Sequence, residues 1–216
     1  MAYNDRAVGY INREQYDLAL ADYGAILKFD SMNADAHFNR GMLLERMNRH
    51  QSAIDDFSEV IKQYPRYEKA YNYRGKTYET LGEEAMALAD YNKTIEISPA
   101  FPDGYMNRGN LYNHRGDLDR ALADYQKAIE LEVGNALAVN NRGTVYSKLS
   151  QNERALDDFN RAIDLDQNYA EAYYNRSVIY RGQGRFALAL ADALKSRALG
   201  AEVSENYIQE LRNSKP

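Results

Sequence analysis

The chain contains no cysteine and no tryptophan in 216 residues. Without cysteine there are no disulfides, no thiolate metal sites and no cysteine nucleophile. Proline is scarce, occurring only at 65, 99, 102 and 216. A chain so poor in the residue that breaks helices is expected to be helical over long stretches. Of the three histidines, His37, His50 and His114, no two share the helical spacing of metal ligands. No apolar run reaches the roughly 18 residues that a membrane-spanning helix needs. The opening Met1-Ala2-Tyr3-Asn4-Asp5-Arg6 has no apolar core of a signal peptide. Basic charge is also in deficit: 27 Lys+Arg stand against 32 Asp+Glu, a net charge of −5. Such a chain lacks the overall positive footprint of a nucleic-acid binder.

What the chain does have is a repeat. Asn39-Arg40-Gly41, Tyr73-Arg74-Gly75, Asn107-Arg108-Gly109, Asn141-Arg142-Gly143 and Asn175-Arg176-Ser177 recur at intervals of 34 residues, and Asp5-Arg6-Ala7 lies one interval earlier. A second string follows each: Ala19-Leu20, Ala53-Ile54, Ala87-Leu88, Ala121-Leu122, Ala155-Leu156 and Ala189-Leu190. With Gly41 at position 8 of a unit, the units run 1–33, 34–67, 68–101, 102–135, 136–169 and 170–203, and 204–216 remain. A period of this length is the mark of a helical array.

Each unit reads as two helices. Positions 4, 8 and 11 are apolar or small at helical spacing, and positions 20, 21, 24, 27 and 28 repeat that spacing after a turn. Asn48, Gly82, Gly116 and Gly184 fall in the turn, where a residue with φ > 0 ends a helix at little cost. Pro65 and Pro99 lie between units, and Pro102 opens a first helix, where its missing N–H is not needed. The small residues at 8 and the six alanines at 20 let the two helices approach, and large rings at 4, 11 and 24 fill the space around the crossing. One pair buries too little surface alone, so neighbours must stack.

These residues carry a resemblance. The chain resembles the tetratricopeptide repeat (TPR) family over essentially its whole length. The family pattern places aromatics at 4 and 11, Gly or Ala at 8, Ala at 20, an aromatic at 24 and often Pro at 32. Here position 11 is Tyr10, Leu44, Tyr78, Tyr112, Tyr146 and Tyr180, and position 24 is Tyr23, Phe57, Tyr91, Tyr125, Phe159 and Ala193. Tyr stands where the family often has Trp at 4, and Arg where it often has Leu at 7. The resemblance implies an all-α, right-handed superhelical solenoid of six units. A capping helix is expected to close it, with Ser204 as N-cap and Glu205-Asn206-Tyr207-Ile208-Gln209-Glu210-Leu211 as its body.

Arg occupies position 7 and Asp position 23 in all six units: Arg6, Arg40, Arg74, Arg108, Arg142 and Arg176 against Asp22, Asp56, Asp90, Asp124, Asp158 and Asp192. A ladder of arginines for anionic ligands is one reading. A structural pair between a first and a second helix is the reading adopted, since a planar guanidinium suits a bidentate carboxylate at a helix contact. Sequence leaves open whether the partner lies in the same unit or the next.

The resemblance also implies a concave groove lined by positions 2, 5, 6, 9, 12 and 13 of the first helices. Asn39, Asn107, Asn141 and Asn175 occupy position 6, Asn72 and Asn140 position 5, and Asn110 position 9. A carboxamide both donates and accepts, so such a row can hold the main chain of an extended peptide. Lys69, Tyr73, Lys76 and Tyr174 add charge and rings, and Phe38, Met42, Met106 and Val178 are expected to add apolar contacts. The family's carboxylate clamp, with Lys at 5 and Arg at 6, has no match here. The expected partner is therefore a protein, bound through an extended peptide or C-terminal tail. No nucleic acid, membrane insertion, cofactor or metal is expected. The alternatives are self-association through the groove or an array end, and a helical-repeat RNA binder.

No acid–base–nucleophile constellation meets the geometric requirements of catalysis, so the chain is not expected to be an enzyme. With Met1 at position 2 and no cap residue ahead of the first helix, the chain reads as a fragment of a longer bacterial protein. A cytoplasmic and a periplasmic setting suit it equally.

Overall fold

The computed structural model describes residues 2–214; the expected entry of Met1 into the first helix and the last two residues of the expected tail lie outside them. Among the described residues thirteen helices run in order: α1 (Ala2–Ile11), α2 (Tyr16–Phe29), α3 (Ala34–Arg46), α4 (His50–Gln63), α5 (Glu68–Thr80), α6 (Glu84–Ile97), α7 (Pro102–His114), α8 (Leu118–Leu131), α9 (Ala136–Lys148), α10 (Asn152–Leu165), α11 (Ala170–Gly182), α12 (Phe186–Ala198) and α13 (Glu205–Asn213). No strand occurs among the described residues. The architecture is an all-α repeat solenoid in which odd-numbered first helices alternate with even-numbered second helices, as the period implied. The chain divides into two compact bodies between Asn107 and Arg108. In the first, each helix from α1 to α6 packs on the next, and α3 also touches α5; in the second, α8 to α13 do the same, and α9 also touches α11.

Every first helix stops the same way. Glu14, Asn48, Gly82, Gly116, Ser150 and Gly184 have φ between 57° and 76°. The N–H that follows each then donates five residues back, for example Arg49 to Leu44 O at 2.8 Å, Glu83 to Tyr78 O at 2.9 Å and Gln151 to Tyr146 O at 2.8 Å. That bond closes a Schellman cap. Sequence singled out Asn48 and the glycines; Glu14 and Ser150 take the same conformation with side chains that disfavour it. Ser150→Gly and Glu14→Gly are each expected to stabilise the chain by about 0.5–1 kcal/mol. The check is a higher midpoint in urea unfolding.

The crossing inside each pair is as tight as the small residues suggested. A Cβ on Gly41 would lie 2.7 Å from the Phe57 ring, on Gly75 2.8 Å from Tyr91, on Gly109 3.0 Å from Tyr125 and on Gly143 2.8 Å from Phe159. Those rings and all six position-20 alanines are fully buried. Burial of each ring supplies about 1.5–3 kcal/mol, and the inter-pair contacts extend the core along each body.

At the far end α13 covers the last pair. Ser204 accepts from Tyr207 N–H at 3.2 Å as its N-cap. Ile208 and Leu211 pack against Ala189, Ala193 and Val203. Its other face is exposed and polar, with Glu205, Asn206, Gln209, Glu210 and Arg212. Two ion pairs tie it down: Arg181–Glu210 at 2.6 Å and Arg197–Glu205 at 2.8 Å.

Candidate functional site

The arginines of position 7 have a structural task. Each is held by the aspartate of its own pair through two parallel bonds from Nε and Nη2. Arg74 is representative, with Nε to Asp90 Oδ2 and Nη2 to Asp90 Oδ1 both at 2.8 Å. The third nitrogen reaches back one pair: Arg74 Nη1 donates to Ser58 Oγ at 3.0 Å and Arg176 Nη1 to Asn160 Oδ1 at 2.6 Å, and Arg142 Nη1 bonds Gln126 Oε1 likewise. One guanidinium thus fastens three helices. The bond to aspartate keeps Arg40, Arg74, Arg142 and Arg176 firmly protonated, and Arg6 in turn holds the Asp22 carboxyl below the usual range. His37 replaces the usual tyrosine at position 4, and its Nδ1 lies 2.7 Å from Asp56 Oδ1.

The asparagines of the first helices are linked to one another. Asn39 Nδ2 donates to Asn4 Oδ1 at 3.3 Å, and Asn107 Nδ2 to Asn72 Oδ1 at 3.0 Å. In the second body Asn175 Nδ2 donates to Asn140 Oδ1 at 3.0 Å and Asn141 Nδ2 to Asn110 Oδ1 at 3.1 Å. Three of these bonds share one geometry, position 5 of one first helix facing position 6 of the next, 35 residues on, while Asn141 bonds position 9 of α7, 31 residues back. At the matching positions 38 and 73 the pair is aromatic instead. Phe38 and Tyr73 meet edge to face at 5.4 Å.

This packing separates the candidate residues. Asn72 and Asn140 are buried, at 3% and 5% exposure, so they position their neighbours instead of facing solvent. Asn140 also donates to Asn141 Oδ1 and bonds Tyr169, whose burial pushes its phenol up to about 12. Asn110 Oδ1 is used twice, accepting from Tyr125 OH at 2.7 Å as well. Tyr73 is half-buried against Phe38 and Phe57, with Lys76 Nζ 5.7 Å above its ring. Phe38, expected on the groove, instead belongs to the core, because Tyr73 of α5 and Tyr67 just ahead of that helix cover it. Lys69 and Lys76 are exposed, as is Tyr174, whose ring lies 5.8 Å from Tyr207 of the capping helix. Asn39, Asn107, Asn141 and Asn175 are half-buried. Of these, the Oδ1 atoms of Asn39, Asn107 and Asn175 accept no hydrogen bond among the described residues, where each side chain bonds through Nδ2. Sequence passed over Asn4, although its spacing of 35 from Asn39 matches that of Asn72 from Asn107.

Between α1 and α3 the same face holds two adjoining cavities. One, of about 370 Å³, is lined by Asn4, Asp5, Ile26, Asn33, Asp35, Ala36 and Asn39. The other, of about 230 Å³, is lined by Val8, Ile11, Tyr23, Asn39, Met42, Leu43 and Arg46. Among the described residues no cluster of three His, Cys, Asp or Glu is placed to hold a metal ion.

Comparison with known families agrees with the architecture. Models described as tetratricopeptide repeat match residues 4–68, 41–103 and 102–135, and one described as TPR repeat matches 145–184. The chain belongs to the tetratricopeptide repeat family. No curated protein sequence matches this TPR chain. Among solved structures, it is similar to pilF of Pseudomonas aeruginosa, with a TM-score of 0.82, 15% identity and coverage of 99% of this chain and 96% of that one. It is also similar to YrrB, described as a TPR protein with an unusual peptide-binding site, with a TM-score of 0.65, 18% identity and coverage of 88% and 97%. MamA aligns with a TM-score of 0.66, 21% identity and coverage of 79% and 93%. At these identities the likeness is one of fold.

Proposed function

We propose that this TPR chain is a protein-interaction scaffold that binds an extended peptide segment of a partner on the face of its first helices. The observation that carries the reading is the state of the position-6 carboxamides. Asn39, Asn107 and Asn175, each half-buried, commit Nδ2 to the preceding first helix, which fixes the amide plane and leaves the acceptor capacity of Oδ1 open. Fixed acceptors lose little freedom when a ligand arrives. They suit peptide N–H groups, which any sequence offers, while nearby side chains supply selectivity. Lys69, Tyr73 and Lys76 do so in the first body, and Asn110, Asn141 and Tyr174 in the second. Buried Asn72 and Asn140 serve by holding Asn107 and Asn175. The fold of YrrB and the family membership support a binding task of this kind, and the closed Arg–Asp pairs remove the competing reading of an arginine ladder for polyanions.

The test is capture of partners from a lysate of the source organism by the wild-type chain and by an Asn107→Ala/Asn141→Ala/Asn175→Ala variant. Circular dichroism reports whether the helices persist. The expected result is loss of the captured proteins from a variant that keeps its helical signal. An unchanged set of partners would move the site off this face.

A further inference from the structure

We propose that the crevice between α1 and α3 takes a lysine or arginine side chain of a partner peptide together with an aliphatic side chain about two or three residues away. This rests on the peptide-binding reading and adds to it a location and a sequence preference.

The two cavities there differ in chemistry and share one residue, Asn39. The larger carries Asp5 and Asp35, both exposed. Among the described residues neither has an ion-pair or side-chain hydrogen-bond partner. Of its other polar groups, Asn4 Oδ1 accepts from Asn39 Nδ2 and Asn33 Oδ1 caps α3 through Ala36 N–H at 3.0 Å, which leaves Asn39 Oδ1 as an open acceptor. Two carboxylates without a partner among the described residues, facing one cavity, attract a cation and disfavour an acidic side chain. The smaller cavity is apolar, with Val8, Ile11, Met42 and Leu43 around it and the buried Tyr23 ring as its floor. Val8 is 45% exposed, so an aliphatic side chain entering there removes apolar surface from water. Methionine adapts its shape to what it meets.

The arrangement also sets direction. Arg46 lines the apolar cavity and lies 5.0 Å over the Tyr16 ring. Its charge turns a second cation away from that end. Asp35 and Met42 are seven positions apart on α3, roughly 10 Å at 1.5 Å per residue, which an extended peptide covers in about three residues at ~3.3 Å each. Asn39 lies between, its open Oδ1 placed for an N–H of the connecting backbone.

The experiment is selection of a phage-displayed library of random dodecapeptides on the full chain, followed by fluorescence anisotropy with the selected peptides made synthetically. The expected pool carries Lys or Arg two or three positions from Leu, Ile, Val or Met. Replacing that Lys or Arg by Glu in the peptide should weaken binding at least about tenfold. So should Asp5→Asn/Asp35→Asn in the protein, whose melting curve serves as the folding control. Val8→Asp should weaken binding through the apolar end. Peptides without a basic residue, or peptides insensitive to these changes but lost with Asn107→Ala/Asn141→Ala/Asn175→Ala, would overturn this inference and leave the peptide-binding reading intact. A library that yields no enrichment would overturn both.

Discussion

Asp56→Ala is expected to destabilise the chain by about 3 kcal/mol. The carboxylate is 3% exposed and is the shared acceptor of three bonds. Arg40 Nε and Nη2 each reach it at 2.7 Å, and His37 Nδ1 lies 2.7 Å from the same oxygen that Nη2 uses. Removing the acceptor strands a guanidinium inside the α3–α4 contact, and the penalty of an unpaired charge exceeds the modest net value of the pair itself. The Arg40 side chain keeps 29% of its surface, so water relieves part of that penalty, and the lower end of the usual range applies. Asp22→Ala should cost clearly less, because Arg6 at the outermost pair is 55% exposed and stays hydrated when its partner is lost. Urea unfolding of the two variants side by side measures the difference. Equal effects would mean that the pairs are screened along the whole chain. Repeat arrays unfold unevenly, so hydrogen exchange in α3 and α4 should locate the loss at this pair.

That contrast bears on how much the sequence could say. The pairing of Arg with Asp was legible, since both recur once per unit at complementary chemistry. The choice of partner was not. A separation of 16 residues spans a helix, a turn and part of a second helix, and whether the two heads meet depends on the crossing angle. The turn between helices was legible in Gly82, Gly116 and Gly184, because glycine announces a positive φ. It was hidden at Glu14 and Ser150, where the stacked helices impose the conformation on residues that do not prefer it. The candidate face shows the same limit. Sequence placed asparagines on the first helices but treated them as parallel ligands. Their bonding to each other follows from how neighbouring first helices are offset, which no single unit encodes. The replacement of Asn by Phe38 and Tyr73 at the matching positions was the available clue, for the two change character together. The cavities beside Asn39 were illegible for a further reason. They are defined by the absence of side-chain volume between α1 and α3, and residue type alone does not report a void.

Gly143→Ala is expected to destabilise although alanine is the better helix former. Two terms oppose one another. Inside α9, replacing glycine by alanine favours the helix by about 1 kcal/mol. Against this, the new methyl would lie 2.8 Å from Phe159 Cε1 and 3.0 Å from Asp158 Cβ. Neither neighbour can withdraw easily. Phe159 is 1% exposed, and Asp158 is held by both bonds from Arg142, at 2.8 and 2.6 Å. Overpacking of this kind costs about 1–3 kcal/mol and more when the surroundings are pinned, so the contact outweighs propensity and the net change is a loss. Gly24→Ala is the internal control. It too lies inside a helix, α2, but a Cβ there meets nothing within 4 Å, so the propensity term acts alone and the variant should gain stability. Opposite signs for one chemical change at two helical glycines are the expected readout in urea unfolding. In a Phe159→Leu background Gly143→Ala should cost less than it does in the wild-type chain, because the smaller side chain frees the space that the methyl takes. If Gly143→Ala stabilised as Gly24→Ala does, the close crossing of α9 and α10 would not be what glycine is needed for.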